Sequence, residues 1–99
     1  MELKIGQIVI SKAGRDKGNI FVVFALEGNG EYALLVDGRT RLLERPKRKK
    51  HKHIQPTNAV DEELANAIKE KKVYLKNADF RAAITKFANK SKATAHDGC

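Results

Sequence analysis

The sequence predicts a mainly β protein, a small barrel of five short strands followed by a pair of short α-helices. In the first part of the chain, short runs rich in Val, Ile and Phe alternate with glycine-containing turns, a pattern typical of strands. After Pro56 the apolar residues recur every three or four positions, which is the period of a helix. Because short strands in an open sheet leave exposed edges, we expect the sheet to close on itself.

Glycine-containing turns bound the first three predicted strands. Gln7–Ser11 is expected to be the first strand and Asn19–Glu27 the second, with a basic loop over residues 12–18 between them. Gly28-Asn29-Gly30 predicts a hairpin turn, because these residues tolerate a left-handed backbone. The third strand is then expected at Glu31–Asp37.

The fourth and fifth strands are predicted on either side of the basic run. We expect them at Thr40–Leu43 and Lys52–Gln55, with Pro46 interrupting the pairing between them. The strands at Ile20–Leu26 and Ala33–Val36 are apolar on both faces, so both faces need cover. One face can fill the barrel, and the helices are the only candidates to cover the other.

Two amphipathic helices are predicted after the barrel. Thr57 or Asn58 is expected to cap the first helix, whose apolar face is Val60, Leu64 and Ile68. Asn77 or Asp79 is expected to cap the second, whose apolar stripe is Phe80, Ile84 and Phe87. We therefore divide the chain into a barrel over residues 1–57, a helical extension packed on it over 58–90, and a disordered tail over 91–99.

Composition narrows the classes of function. A chain of 99 residues with 41% hydrophobic and 32% charged residues fits one small globular domain, which we expect to be a monomer. The longest apolar run, Ile20–Leu26, is too short to span a bilayer, and no signal-peptide pattern opens the chain. Cys99 is the single cysteine, so no intramolecular disulfide can form. These features predict a reducing, cytoplasmic location.

The most basic stretch is Arg39–His53. It holds eight Lys and Arg against Glu44 alone, a net charge of +7 (eight minus one) out of +8 for the chain. Lys and Arg release condensed counterions when they meet phosphates, so nucleic acid is the expected partner. The alternative is a disordered solvated loop, but Leu42-Leu43 and Ile54 on its flanks favour attachment to the fold. The candidate contacts are Arg39, Arg41, Arg45, Lys47, Arg48, Lys49, Lys50, His51, Lys52 and His53.

The stretch Gly6–Gly18 resembles a KOW motif, which is a strand, a glycine-containing basic loop and a second strand. Gly14 and Gly18 are expected to turn the backbone sharply. The loop then projects its cations toward a partner, and these are Lys12, Arg15 and Lys17. The alternative is an ordinary β-turn with surface cations.

The resemblance extends through Val36-Asp37-Gly38, the basic run and Lys52-His53-Ile54-Gln55-Pro56-Thr57, in that order. This order is similar to that of the archaeal and eukaryotic large-subunit ribosomal protein fourteen family (the L-fourteen-e type). The resemblance covers residues 5–57, and residues 58–90 in outline, where the tail has its own pattern. It implies an SH3-like β-barrel that binds structured ribosomal RNA, in the ribosome or in its assembly or translation quality control. The contacts it implies are Lys12, Arg15, Lys17, Arg45, Lys47, Arg48, Lys49, Lys50 and Lys52.

Three further expectations concern how RNA is bound, how the basic run affects stability and which function is the alternative. With two tyrosines and no tryptophan, an aromatic platform for single-stranded bases is not expected, which favours recognition of folded RNA by shape. Cations in a mutually repulsive cluster contribute little to folding, so we expect removal of Lys47–Lys50 to leave stability unchanged. KOW motifs also occur in transcription elongation factors, so the alternative function is a protein-interaction adaptor.

The sequence contains no pattern that indicates an active site or a metal site. Gly14–Gly18 lacks the spacing of a phosphate-binding Walker loop, and no nucleophile has an evident base. A metal site at His51 and His53 with His96 and Cys99 would lack the paired spacing of structural zinc ligands. We therefore expect no enzyme activity, cofactor or metal. Membrane binding through the basic run alone would be weak, and none is expected.

Overall fold

A computed structural model describes the backbone of residues 2–71 and 75–97 and the side chains of residues 2–71 and 75–90. The protein is mainly β, as predicted, with five strands and two α-helices. The elements are β1 (Gln7–Ser11), β2 (Ile20–Glu27), β3 (Tyr32–Val36), β4 (Lys47–Lys50), a 3₁₀ turn (His51–His53), β5 (Ile54–Val60), α1 (Glu62–Lys69) and α2 (Asn77–Asp97).

The strands form one antiparallel sheet in the order β4-β3-β2-β1-β5. The prediction of β1 is confirmed to the residue. β2 begins one residue later than predicted, and β3 is one residue shorter at each end. The turn at residues 28–30 is also confirmed, because all three residues have positive φ.

The sheet is strongly curled because its two edges are joined by the 3₁₀ turn. His51 N–H still donates to Glu31 O beside β3, whereas Ile54 already pairs with Ser11 of β1. A flat sheet would place β4 and β5 about 19 Å apart, at roughly 4.8 Å per strand. Three residues reach only about 11 Å even when fully extended, so the sheet has to bend. Among the described residues no ladder joins β4 to β5, and the sheet stays open.

Two apolar cores lie on the two faces of this sheet. Phe21 and Val23 pack on the inner face, whereas Val22 between them packs on the outer face with the helices. This alternation is the period of a strand, and it explains why β2 is apolar on both faces from Ile20 to Leu26. The inner core consists of Leu3, Val9, Phe21, Val23, Ala33, Leu35 and Ile54. The outer core consists of Ile8, Val22, Val36, Leu64, Phe80 and Ala83.

The prediction of a strand at Thr40–Leu43 is wrong. The Asp37 carboxylate accepts hydrogen bonds from the backbone N–H groups of Arg39, Thr40 and Arg41 at 2.8–2.9 Å, and from the Thr40 hydroxyl at 2.7 Å. These N–H groups are therefore satisfied locally and are not available to a sheet ladder. The segment forms a tight loop, and the strand comes later, at Lys47–Lys50.

The fifth strand and the first helix cap also differ from the prediction. Residues 52 and 53 belong to the 3₁₀ turn, and β5 extends as far as Val60, past Pro56. Proline is tolerated here because β5 is an edge strand. The N-cap of α1 is Asp61, whose Oδ1 accepts from Leu64 N–H at 3.0 Å, so the predicted caps Thr57 and Asn58 lie within the strand.

Helix α2 begins at Asn77, so this predicted cap is the first residue of the helix, and its Oδ1 accepts from Leu43 N–H. Asp79 Oδ2 accepts from the N–H of Lys76 at 2.8 Å, which satisfies a free donor at the start of the helix. Phe80 is fully buried and meets Phe24 edge to face, with ring centroids 6.0 Å apart. The backbone of α2 continues to Asp97 and so includes most of the predicted tail. Gly98 and Cys99 lie outside the described residues.

The two helices do not have the features of membrane spans. Within the described part of the chain, neither is both long and apolar enough to cross a bilayer.

Candidate nucleic-acid interface

The loop between β1 and β2 is shaped by backbone geometry at its glycines. Gly14 and Gly18 have φ of +85° and +90°, as the sequence predicted. No atom lies within 4 Å of where a Cβ on Gly18 would sit, so glycine is needed there for its conformation and not for space. The Gly18 N–H donates to Ser11 O at 2.9 Å, which closes the loop at the end of β1.

The buried Lys49 and the largely buried Asp16 form an ion pair that anchors this loop to β4. Lys49 Nζ donates to Asp16 Oδ1 and to Ala13 O, both at 2.9 Å, and Ser11 Oγ lies 2.8 Å from Asp16 Oδ1. Burial raises the pKa of Asp16, but the hydrogen bonds from Lys49 and Ser11 and the charges of Lys49 and Lys47 outweigh it. The net effect holds the Asp16 pKa below its ordinary value, so the carboxylate is ionised at neutral pH.

The ion pair changes the interpretation of Lys49. The sequence placed this residue among exposed phosphate contacts, yet its side chain is only 9% exposed. Its ammonium group is directed into the protein and holds the loop at residues 12–18. The premise that Lys47–Lys50 are all exposed is therefore wrong for Lys49. We now expect its removal to lower stability, because the Asp16 carboxylate would lose its cation.

Helix α2 holds the loop formed by residues 37–45. Asn77 Oδ1 accepts from the N–H of Leu43 at 2.6 Å, and its Nδ2 donates to Glu44 Oε1 at 3.0 Å. Arg81 Nη1 donates to Gly38 O at 2.7 Å. A Cβ on Gly38 would collide with the Asn77 carbonyl oxygen, so glycine is what permits this close approach. The helix thus fixes the backbone that presents Arg41.

A basic cavity of about 310 Å³ lies where these two loops meet β4. Arg15 comes from the loop after β1, Arg41 from the loop after β3, and Lys47 from the start of β4. None of the three side chains makes a hydrogen bond or ion pair to any described residue. We call this the Arg41 cavity. Asp16 is the one acid in the lining, and it is already paired with Lys49. Three cations without an ion pair around one cavity form a site suited to a phosphate or another anion.

A second basic cavity of about 560 Å³ lies beside the 3₁₀ turn. Its lining includes Lys12, Lys50, His51 and Lys52, with Glu31 as the single acid. The loop at residues 12–18 and strand β4 contribute residues to both cavities.

Arg48 and Lys50 are engaged within the protein, in contrast to Lys47. Arg48 Nε donates to Glu27 Oε1 at 2.9 Å, and its Cζ lies 3.7 Å from the centroid of the Tyr32 ring. Lys50 Nζ lies 3.9 Å from Glu31 Oε1. Among the described residues, only Lys49 in this strand is both paired and buried.

The remaining predicted contacts are distributed around the two cavities. Lys17, Arg39 and Arg45 are exposed and line neither cavity. His53 is half-buried in the 3₁₀ turn, and its carbonyl accepts from Lys12 N–H at 2.9 Å. Of the thirteen predicted cations and histidines, the structure brings three to the Arg41 cavity with free side chains and four to the second cavity.

The partners that organise these cations were not predicted. Asp16 follows Arg15 directly and has the sequence context of an ordinary loop residue. Glu27 and Tyr32 flank the predicted turn, so a two-stranded hairpin already placed them opposite each other. The position of β4 was not predicted. Without it, Asp16, Glu27 and Tyr32 could not be matched to Lys49 and Arg48.

The other cavities and polar clusters do not indicate one class of ligand. A cavity of about 520 Å³ between α1 and α2 is lined by acids, lysines and apolar residues together, and so favours no single class of ligand. In the part of the chain whose side chains are described, no group of three or more His, Cys, Asp and Glu could hold a metal. The side chains of His96 and Cys99 lie outside that part.

Comparison with models of known protein families gives no match for this chain, and comparison with curated proteins gives none either.

Proposed function

We propose that this protein binds structured RNA, with large-subunit ribosomal RNA as the expected partner. It would act in the ribosome, or as a factor in ribosome assembly or translation quality control. The observation that carries the proposal is the Arg41 cavity, in which Arg15, Arg41 and Lys47 converge without an ion pair to any described residue, while the one acid in the lining, Asp16, is held by Lys49. The resemblance of the sequence to KOW proteins and to the L-fourteen-e family supports ribosomal RNA over other polyanions.

The geometry suits phosphate recognition on a folded RNA. Each of the three cations belongs to a different segment, and two of these segments are fixed from behind, one by Lys49 and one by α2. Cations held in fixed relative positions can match the spacing of phosphates, whereas cations on a free loop cannot. The curled five-stranded sheet supports assignment to the SH3-like barrels, which we propose as the fold type.

An anisotropy titration with a structured ribosomal RNA fragment tests RNA binding. If about five phosphates are neutralised across the two cavities, affinity should fall roughly 10²- to 10³-fold between 50 and 200 mM salt. Absence of binding at 50 mM salt would contradict the proposal. The protein-interaction adaptor would then be the better account.

Sedimentation of a cell lysate through sucrose gradients tests the ribosomal assignment separately. We expect the full chain in large-subunit fractions at low salt. Retention at high salt would mark a permanent component, and release would mark a factor. Absence from ribosomal fractions at low salt would contradict the ribosomal role even if the protein binds RNA in vitro.

A further inference from the structure

Arg48 lies on the opposite face of β4 from the Arg41 cavity. Lys47 lines that cavity and Lys49 is directed toward the loop after β1, so the residues that alternate with them face the other way. Lys50 pairs with Tyr32 across the β3–β4 ladder, and Tyr32 pairs with Glu27 across the β2–β3 ladder. Arg48 therefore lies diagonal to Tyr32, within reach of its ring.

Two contacts hold the guanidinium of Arg48 in place. Its Cζ lies over the Tyr32 ring, 3.7 Å from the centroid, which is the contact distance of two flat groups. Its Nε donates to Glu27 Oε1 at 2.9 Å. The ring thus covers the guanidinium carbon from one side, and a carboxylate fixes one edge of the group.

The charge at this position argues against a phosphate. The positive charge of Arg48 is matched by Glu27, and a phosphate placed there would be repelled by that carboxylate. The side chain of Arg48 nevertheless remains 56% exposed. A guanidinium is weakly hydrated and planar, and it stacks on other flat groups. The fitting ligand is therefore flat and uncharged.

We propose that Arg48 is a stacking platform for a single unpaired nucleobase of the bound RNA. The inference rests on the proposed RNA-binding function and adds a contact that selects RNA with an extruded base. Arg guanidinium planes are one of the surfaces on which splayed-out RNA bases stack. β4 is an edge strand, so an RNA that crosses its free edge could place phosphates at Lys47 and a base on Arg48.

The test compares two RNA hairpins that differ in one base. Both carry a single-nucleotide bulge, which is an adenosine in one and an abasic site in the other, so backbone, charge and flexibility are matched. We expect the full chain to bind the adenosine bulge about 3- to 30-fold more tightly, the range of a cation–π contact. Arg48→Lys keeps the charge but removes the plane, and it should abolish this preference while leaving affinity for the abasic hairpin and its salt dependence unchanged.

The matched control is Arg45→Lys, the same change at an exposed arginine of the same segment. It should keep the preference for the adenosine bulge. A second variant, Tyr32→Leu, removes the ring that supports Arg48 and should lower the preference as well. Circular dichroism checks that each variant is folded.

The outcomes separate this inference from the proposed function. Equal affinity of the wild type for the two hairpins overturns the platform and leaves RNA binding intact. A preference that survives Arg48→Lys overturns it too. If the wild type binds neither hairpin at low salt, both the platform and the proposed function are contradicted.

Discussion

The residues of β4 are nearly identical in chemical type and differ completely in role. Lys47 borders a cavity, Arg48 lies on an aromatic ring, Lys49 is buried in an ion pair and Lys50 lies near an acid. Strand alternation causes this division, because successive side chains point to opposite faces. The sequence showed the charge of the run but not its division, since the position of the strand was predicted incorrectly.

Lys49→Met tests the structural role of the buried lysine. Methionine preserves much of the side-chain volume but leaves the Asp16 carboxylate buried without its partner, so the free energy of unfolding should fall by about 3 kcal/mol. The measurement is urea denaturation at neutral pH. The control, Lys47→Met on the same strand, should change stability by less than about 0.5 kcal/mol. Equal stability of the two variants would show that the ion pair does not anchor the loop.

The same ion pair predicts how stability depends on pH. The Asp16 pKa is lower in the folded protein than its ordinary value of 3.8, so the unfolded chain binds protons more readily in acid. The stabilisation is therefore present above about pH 4–5 and is lost as pH falls through the folded-state pKa. Asp16→Asn should weaken this acid dependence in urea melts between pH 6 and pH 2. An unchanged profile would exclude Asp16 as a contributor.

At the scale of elements, the first half of the sheet was predictable and the second half was not. β1, β2, β3 and their turns follow from apolar runs between glycines, which are local signals. The loop after β3 depends on Asp37, whose carboxylate competes with a ladder for the same N–H groups. β4 is a strand because β3 offers it a partner, which is a tertiary cause that its own charged sequence does not reveal.

Packing of α2 on the outer face of the sheet is tested by Phe80→Ala. Phe80 is fully buried against Phe24, so its truncation should leave a cavity and lower stability by about 3–5 kcal/mol. Thr85→Ala, at an exposed position of the same helix, is the control and should have little effect. Thermal and urea denaturation give the comparison. A small loss at Phe80 would mean that α2 contributes little to the outer core.

At the scale of the whole molecule, net charge and site geometry have different consequences. A net charge of +8 attracts any polyanion over a distance of about a Debye length, without selecting one. The sequence was sufficient to predict that attraction. It could not predict which cations remain free, because the acids that neutralise the others come from β2, from the loop after β1 and from the β2–β3 turn.

The proposed function requires that a set of free cations, and not net charge alone, binds phosphates. The direct measurement is the salt dependence of RNA affinity for two triple variants that lose the same charge. The site variant is Arg15→Gln/Arg41→Gln/Lys47→Gln. The control variant is Lys4→Gln/Lys69→Gln/Lys86→Gln.

At about 0.7–0.9 per phosphate contact, the site variant should flatten the log-log slope by about 2–3, and the control by less than about 1. The three control lysines are exposed and lie outside both basic cavities, so their loss should act only through net charge. Equal flattening by the two variants, or no flattening by the site variant, would contradict the assignment of the Arg41 cavity as the phosphate site.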